Sequence, residues 1–125
     1  MNAHALAQRA YASPTTATKT PRAVEYDVVA RVTHELRSAE ISKKENFARL
    51  AEAIHRNNRL WTTLAANVAD ESNELPNQVR AQIFYLAEFS KRHAAQVLAG
   101  VADIRPLLEI NTAILRGLRN EGSTP

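Results

Sequence analysis

Histidine is the residue type that would first suggest metal binding or catalysis in this chain, which has four histidines and no cysteine. They are scattered over separate predicted elements, at His4, His34, His55 and His93. His34-Glu35 is not followed by a second histidine one helical turn later, the spacing with which zinc proteases hold their metal. We therefore expect surface histidines and no metal site.

Other catalytic patterns are also missing from the sequence. It has no Gly-rich phosphate loop, no Gly-x-Ser-x-Gly nucleophile turn and no cluster of carboxylates. Glu88 and Glu109 each stand alone in a predicted helix, which is typical of a solvated face. The lack of cysteine excludes thiol catalysis and disulfide bonds. We predict a protein that is not an enzyme and that uses no cofactor, metal or small-molecule substrate.

The charge balance is too mild for a nucleic-acid-binding stripe. The net charge is +3, from 16 basic and 13 acidic side chains. Basic residues near Lys43-Lys44 alternate with Glu40 and Glu45, which predicts a salt-bridged helix surface, so direct RNA contact is the less favoured interpretation. No apolar run approaches the ~18 residues of a membrane span, and the first residues do not resemble a secretory signal. We expect a cytoplasmic protein.

The elements that must position any site are helices. Glycine is scarce and no Asn-Gly or Asp-Gly hairpin pair occurs, while apolar residues recur at helical spacing. The pattern predicts an all-α, single-domain bundle (21–119) of about four main helices, near 21–39, 43–70, 74–99 and 104–119. It also predicts a short N-terminal helix (1–12), a flexible Pro/Thr-rich linker (13–20) and a disordered tail (120–125).

Several helix ends have local signals. Thr20-Pro21 is a good start for the first helix, and Ser72 or Asn73 is expected to cap the third. Gly100 should end the third helix, and Asp103 should cap the last.

The run Ile83-Phe84-Tyr85-Leu86 carries the most information about binding. Four consecutive apolar residues cover most of a helix circumference. Either this helix is central and surrounded by its own chain, or it keeps an apolar face for a partner helix. Trp61 lies in phase with the apolar stripe of its helix, which favours a core position over a binding one.

Asparagines interrupt two apolar stripes, at Asn57-Asn58 and at Asn111. A polar residue in such a seam sets the register or the choice of partner, or it marks a solvated kink. We favour one long helix through Asn57-Asn58 over two shorter helices that meet there.

Blocks along nearly the whole chain resemble the FlaF family of flagellar-biosynthesis proteins of alphaproteobacteria. The most specific are Leu60-Trp61-Thr62-Thr63-Leu64 and Ile83-Phe84-Tyr85-Leu86-Ala87-Glu88-Phe89. Arg9-Ala10-Tyr11 before the linker and the closing block from Glu109 to Leu118 also match. The resemblance implies a protein that acts after transcription, alongside its counterpart FlbT, and that binds flagellin in a chaperone-like manner for synthesis and export.

From this resemblance we predict that the bundle binds the terminal amphipathic segments of flagellin in a groove. We expect the groove between the second half of the long helix and the aromatic helix, with the final helix as a wall. Ten residues are expected to line it: Asn58, Leu60, Trp61, Leu64, Phe84, Tyr85, Phe89, Ile110, Asn111 and Ile114. The linker would let Leu6 and Tyr11 cover the empty groove or clamp over bound flagellin.

Two other functions stay open at this point. The protein could be a post-transcriptional regulator that acts on flagellin mRNA, directly or through FlbT. It could also be an adaptor between flagellin, FlbT and the export apparatus.

Overall fold

The chain folds into four helices in the computed structural model, which describes residues 21–123 and the side chains of residues 25–118. They are α1 (Pro21–Ile41), α2 (Phe47–Ala69), α3 (Asn77–Leu98) and α4 (Arg105–Ser123). No strand occurs in this range, so the predicted all-α bundle is confirmed. The predicted N-terminal helix (1–12) and linker (13–20) lie outside the described residues.

Sequence neighbours among the helices run antiparallel. Arg56 of α2 pairs with Glu35 of α1 at 2.9 Å, whereas Arg49, earlier in α2, reaches Ser38, later in α1. At the other end of α2, the Arg80 Nε of α3 donates to the Val68 carbonyl at 2.8 Å. α1 also packs along α4, while α3 and α4 contact each other least of the four neighbouring pairs. The bundle is therefore closed on three sides and loosest between α3 and α4.

The signals at Pro21, Gly100 and Asp103 are confirmed. Gly100 has a φ of +79°, and its N–H donates to the Val97 carbonyl while Val101 N–H donates to that of Gln96. This pattern closes a helix with a left-handed residue, which glycine adopts without steric cost. Asp103 Oδ1 accepts from the Arg105 N–H at 2.9 Å and so caps α4.

The predicted cap of α3 is wrong. Pro76 precedes α3 and no side chain caps it. Asn73 instead accepts from the Leu75 N–H and donates to the Asn67 carbonyl, and Ser72 donates to Asp70, so both side chains fold the loop back onto α2. Asn46, which the sequence reading missed, caps α2 by accepting from the Arg49 N–H. α2 therefore begins at Phe47, later than predicted, and α4 extends past 119 to Ser123.

The apolar core fills one end of the bundle. It is built from the second half of α1, the first half of α2, the second half of α3 and the first half of α4. Its fully buried members are Leu36, Ala39, Leu50, Ala53, Ile54, Ala94, Val97, Ile104 and Leu107. Because neighbouring helices are antiparallel, this end lies opposite the one where the chain enters α1 at Pro21.

Candidate protein-binding surface

A network of buried polar side chains crosses the middle of the bundle. Trp61 Nε1 donates to Asn111 Oδ1 at 2.8 Å. Asn111 Nδ2 donates to Asn57 Oδ1 at 2.8 Å and to Thr33 Oγ1 at 3.1 Å. Asn57 Nδ2 then donates to Ser90 Oγ at 3.3 Å, so the network includes a side chain from each of the four helices.

This network explains the asparagines in the apolar stripes. All five side chains are 3% exposed or less, and α2 runs without a break through Asn57-Asn58. A solvated kink and a pair of shorter helices are therefore wrong for Asn57. Buried polar groups that can be satisfied in only one arrangement fix the register of the elements that carry them. The network is a register device between the helices.

Two of the predicted groove residues belong to this network and do not lie in a groove. Trp61 and Asn111 lie in the interior and bond to each other, so neither presents its side chain on the surface of the bundle. The core position favoured for Trp61 is confirmed. Contact between flagellin and either side chain would require the bundle to open, so we assign both to the framework behind the surface.

Helix α3 carries two exposed aromatic side chains that are neighbours in the sequence. Phe84 is 47% exposed and Tyr85 is 61% exposed, so the interpretation of α3 as a helix surrounded by its own chain is wrong. Phe89 is half-buried and stacks on His93, with ring centroids 5.6 Å apart and ring planes 15° apart. His93 is itself half-buried, with Nε2 2.7 Å from the Asp103 carbonyl oxygen. This histidine therefore ties α3 to the start of α4 and is not the surface residue that the sequence predicts.

Phe84 and Tyr85 lie on different flanks of α3, since consecutive helical residues are about 100° apart. Tyr85 precedes Phe89 by one turn and lies about 180° from the buried Ala94, which places it on the outer face of α3 next to Phe89. Phe84 precedes Ala87 and Glu88 by one turn, and these two residues face α2. The two aromatic side chains therefore belong to two different surfaces of α3.

The junction of α2 and α3, where the sequence places the groove, is nearly closed. It holds a depression of about 120 Å³ lined by Asn58, Trp61, Thr62, Ala65, Ala87, Glu88 and Lys91. Leu60 and Leu64 on α2 are half-buried. The Oδ1 atom of Asn58 is buried with no hydrogen-bond partner within the described part of the chain. A depression of this size admits a side chain but not an amphipathic helix.

An apolar opening lies instead between α3 and α4, toward the end where α1 begins. At this end, α1 and α2 contribute the buried residues Val29 and Val68, next to half-buried ones such as Val28 and Leu64. The corresponding residues of α3 and α4 are only half-buried or exposed: Val79, Ile83, Leu86, Ile114, Leu115 and Leu118. We call these six residues the α3–α4 seam. Tyr85 and Phe89 border it on α3, and the half-buried Ile110 follows it on α4.

The predicted salt-bridged surface is present on α1, α2 and the loop between them. Lys43 pairs with Glu40 at 2.6 Å, and Arg56 pairs with both Glu35 and Glu52. Arg49 donates to the hydroxyls of Ser38 and Ser42. These cations therefore already have partners within the protein, which reduces what they can offer to phosphates.

Neither a membrane span nor a metal cluster is found in the part of the chain that the structure describes. No helix there combines the length and the apolar character that crossing a bilayer requires. No three His, Asp or Glu side chains in that part are grouped as metal ligands. The predicted surface positions of His34 and His55 are confirmed, while His4 lies outside the described residues.

The family comparison agrees with these features of the chain. A family model described as flagellar protein FlaF matches residues 7–118, which is most of the sequence. No curated protein and no solved structure shows a significant match. The match covers α1 to α3 and α4 as far as residue 118, and so includes the network and the α3–α4 seam.

Proposed function

Because the chain belongs to the FlaF family of flagellar proteins, we propose that it binds monomeric flagellin in the cytoplasm and keeps it available for export. The docking surface is the α3–α4 seam with Tyr85 at its border. One observation carries this choice: the apolar residues of the seam are half-buried or exposed, and α3 and α4 contact each other least of the four neighbouring helix pairs.

The occupant we propose is an amphipathic helix from a flagellin terminus. Val79, Ile83 and Leu86 follow one another at helical spacing on α3, and Leu115 and Leu118 do so on α4. Two antiparallel helices that are loosely packed leave a groove in which the apolar face of a third helix can lie. Flagellin's terminal segments are amphipathic and unfolded before assembly, so covering them suppresses premature association.

Only some of the predicted lining residues lie at the seam. Tyr85, Phe89, Ile110 and Ile114 lie on or beside it and are proposed as direct contacts. Phe84 and Asn58 lie on the α2 side of α3, and we retain them as contacts only if flagellin also reaches that flank. Buried apolar area should dominate the binding free energy, which predicts a negative heat-capacity change and weak salt dependence.

Alanine substitutions on the two flanks of α3 test the choice of surface. Tyr85→Ala should weaken flagellin binding about tenfold, as expected when an aromatic contact is lost from an interface, whereas Phe84→Ala should have a smaller effect. Val101→Ala is a matched control, because Val101 is an apolar residue 75% exposed in the α3–α4 loop, away from the seam. Affinity is measured by isothermal titration calorimetry, with circular dichroism to confirm folding.

Two results would contradict this proposal. If Tyr85→Ala and Phe84→Ala both bind like the parent, the aromatic helix is not the docking surface. If Phe84→Ala alone weakens binding, flagellin docks at the α2–α3 junction instead.

The alternative is a regulator that acts on flagellin mRNA, directly or through FlbT. His55 and Arg59 line a shallow depression of about 280 Å³ on the exposed face of α2, which is the best candidate for phosphate contact. Binding through phosphates weakens steeply as salt rises, because bound counterions are released. A flagellin mRNA complex that is lost at high salt, together with no flagellin complex, would favour this function.

A further inference from the structure

A stripe of exposed side chains runs along the outer face of α3. Its members recur at alternating spacings of three and four residues, which keeps them on one side of the helix. All of them are exposed, and two are large apolar side chains. This spacing is the one with which two helices pack side by side in a coiled coil. We call these six residues the α3 stripe: Ala81, Phe84, Glu88, Lys91, Ala95 and Leu98.

The α3 stripe is complementary to a second, antiparallel copy of itself. If a twofold axis passes between Glu88 and Lys91, each Glu88 faces the Lys91 of the second copy. In the same register Phe84 faces the small Ala95, and Leu98 faces the small Ala81. Each large apolar residue therefore meets a small one, and each carboxylate meets an ammonium group. An interface in which the same patch serves both subunits is the usual kind in twofold-symmetric dimers.

Neither a parallel pair of stripes nor a shift by one heptad gives this match. A parallel pair places Glu88 against Glu88 and Lys91 against Lys91, and like charges in contact oppose association. A shift of the antiparallel pair by one heptad places Glu88 against Phe84 in one direction and against Leu98 in the other. Burying a carboxylate against an apolar side chain costs free energy. The residue types therefore favour one orientation and one register.

The two charged residues of the stripe are available for such a contact. Within the described part of the chain, neither Glu88 nor Lys91 makes a hydrogen bond or an ion pair with another residue. By contrast, Arg56 on α2 is held in two ion pairs. The α2 residues that share a depression with Glu88 and Lys91 include the small Thr62 and Ala65, so a second helix can approach the stripe from that side.

We propose that the α3 stripe joins two copies of this chain in an antiparallel, twofold-symmetric dimer. From Ala81 to Leu98 the stripe is about 26 Å long. One helix pair of this length gives an interface near the lower end of the sizes known for specific complexes, so we expect a dissociation constant in the micromolar range. The dimer does not rest on the proposed function. Because the stripe and the α3–α4 seam lie on different faces of α3, each chain of the dimer can still bind one flagellin.

Charge reversal on the stripe tests the dimer with a result that misfolding does not mimic. Sedimentation equilibrium of the full chain should show monomers and dimers whose proportions change with concentration. Glu88→Lys and Lys91→Glu each place like charges opposite each other at both symmetric positions, so each variant alone should be monomeric. An equimolar mixture of the two variants should dimerise again, since each chain then carries the charges that complement the other. Glu109→Lys, the same change at an exposed residue of α4, should leave the equilibrium of the parent protein unchanged.

Truncation of the aromatic residue tests the apolar part of the interface. Phe84→Ala should raise the dissociation constant of the dimer about tenfold, whereas Val101→Ala, in the α3–α4 loop, should leave it unchanged. Circular dichroism confirms that each variant is folded.

Three results would overturn the proposal. The first is a parent protein that stays monomeric at every concentration tested. The second is a Glu88→Lys variant that dimerises like the parent. The third is a mixture of folded Glu88→Lys and Lys91→Glu variants that stays monomeric, because the two charges would then not lie opposite each other.

Discussion

Replacing Asn111 by leucine should destabilise the bundle severely, although leucine has a similar branched shape and is apolar. The Asn111 side chain makes three hydrogen bonds, to Trp61, Asn57 and Thr33, in a site that excludes solvent. Leucine removes all three. It leaves the Trp61 N–H without an acceptor and the Asn57 carbonyl oxygen without this donor. Thr33 is affected less, because its hydroxyl still donates to the Val29 carbonyl at 2.7 Å.

The magnitude follows from the two groups that are left unpaired. A buried polar group that loses its partner costs about 1–3 kcal/mol, so two such groups cost about 2–6 kcal/mol. A small domain has a total stability of about 5–15 kcal/mol. Asn111→Leu should therefore shift the urea midpoint far below that of the parent protein. The slope of the free energy of unfolding against urea concentration should change little.

Urea denaturation followed by circular dichroism measures this change, and a neighbouring residue provides the control. Thr112 lies next to Asn111 on α4, and its hydroxyl donates to the Leu108 carbonyl of its own helix at 2.7 Å. Thr112→Val should therefore cost no more than about 1 kcal/mol. If Asn111→Leu costs less than about 0.5 kcal/mol, the network does not contribute to stability as described.

A double-mutant cycle isolates the bond between the indole and the amide. Trp61→Phe removes the donor, and in the Asn111→Leu background it removes a donor that already lacks an acceptor. The two changes should therefore cost less together than the sum of the single changes, by about 1–2 kcal/mol. Strict additivity would contradict a direct hydrogen bond between Trp61 and Asn111.

The other predictions concern single residues whose geometry sets the sign of the effect. Gly100→Ala should destabilise by about 1 kcal/mol, because Gly100 has a positive φ although no atom lies within 4 Å of an added Cβ. Gly117→Ala should stabilise by about 0.5–1 kcal/mol, since Gly117 lies inside α4, has no positive φ and also has no atom within 4 Å of an added Cβ. If both variants changed stability with the same sign, the backbone φ would not be what separates them. Asn46→Ala and Asp103→Ala should each cost about 1 kcal/mol through loss of an N-cap, measured by thermal denaturation. A cost near zero for either variant would mean that its cap does not stabilise the helix.

Features that depend on a few neighbouring residues could be predicted from the sequence. Pro21 and Gly100 mark helix ends by their backbone preferences and Asp103 by its side-chain hydrogen bond, and the structure places ends at all three. The apolar stripes predicted four helices for the same local reason. Asn46 carries the same kind of signal as Asp103, but the predicted helix over 43–70 included it as a helical residue.

The surface could not be predicted in the same way, because it depends on which helices touch. Asn111 was recognisable as a polar residue in an apolar stripe, but its partners Asn57 and Thr33 are 54 and 78 positions away. Their hydrogen bonds hold Asn111, and through it Trp61, in the interior, where the sequence predicts groove-lining side chains. The α3–α4 seam follows from loose packing between two helices, which no periodicity within either helix reveals.

Titration of purified monomeric flagellin into the full chain tests the central claim most directly. Calorimetry is preferable to tryptophan fluorescence, because Trp61 is buried in the network and away from the proposed surface. We predict a saturable one-to-one complex, confirmed by light scattering, with a negative heat-capacity change and nearly the same affinity at low and high salt. The absence of a complex between folded protein and monomeric flagellin, or a complex that high salt dissolves, would contradict the account.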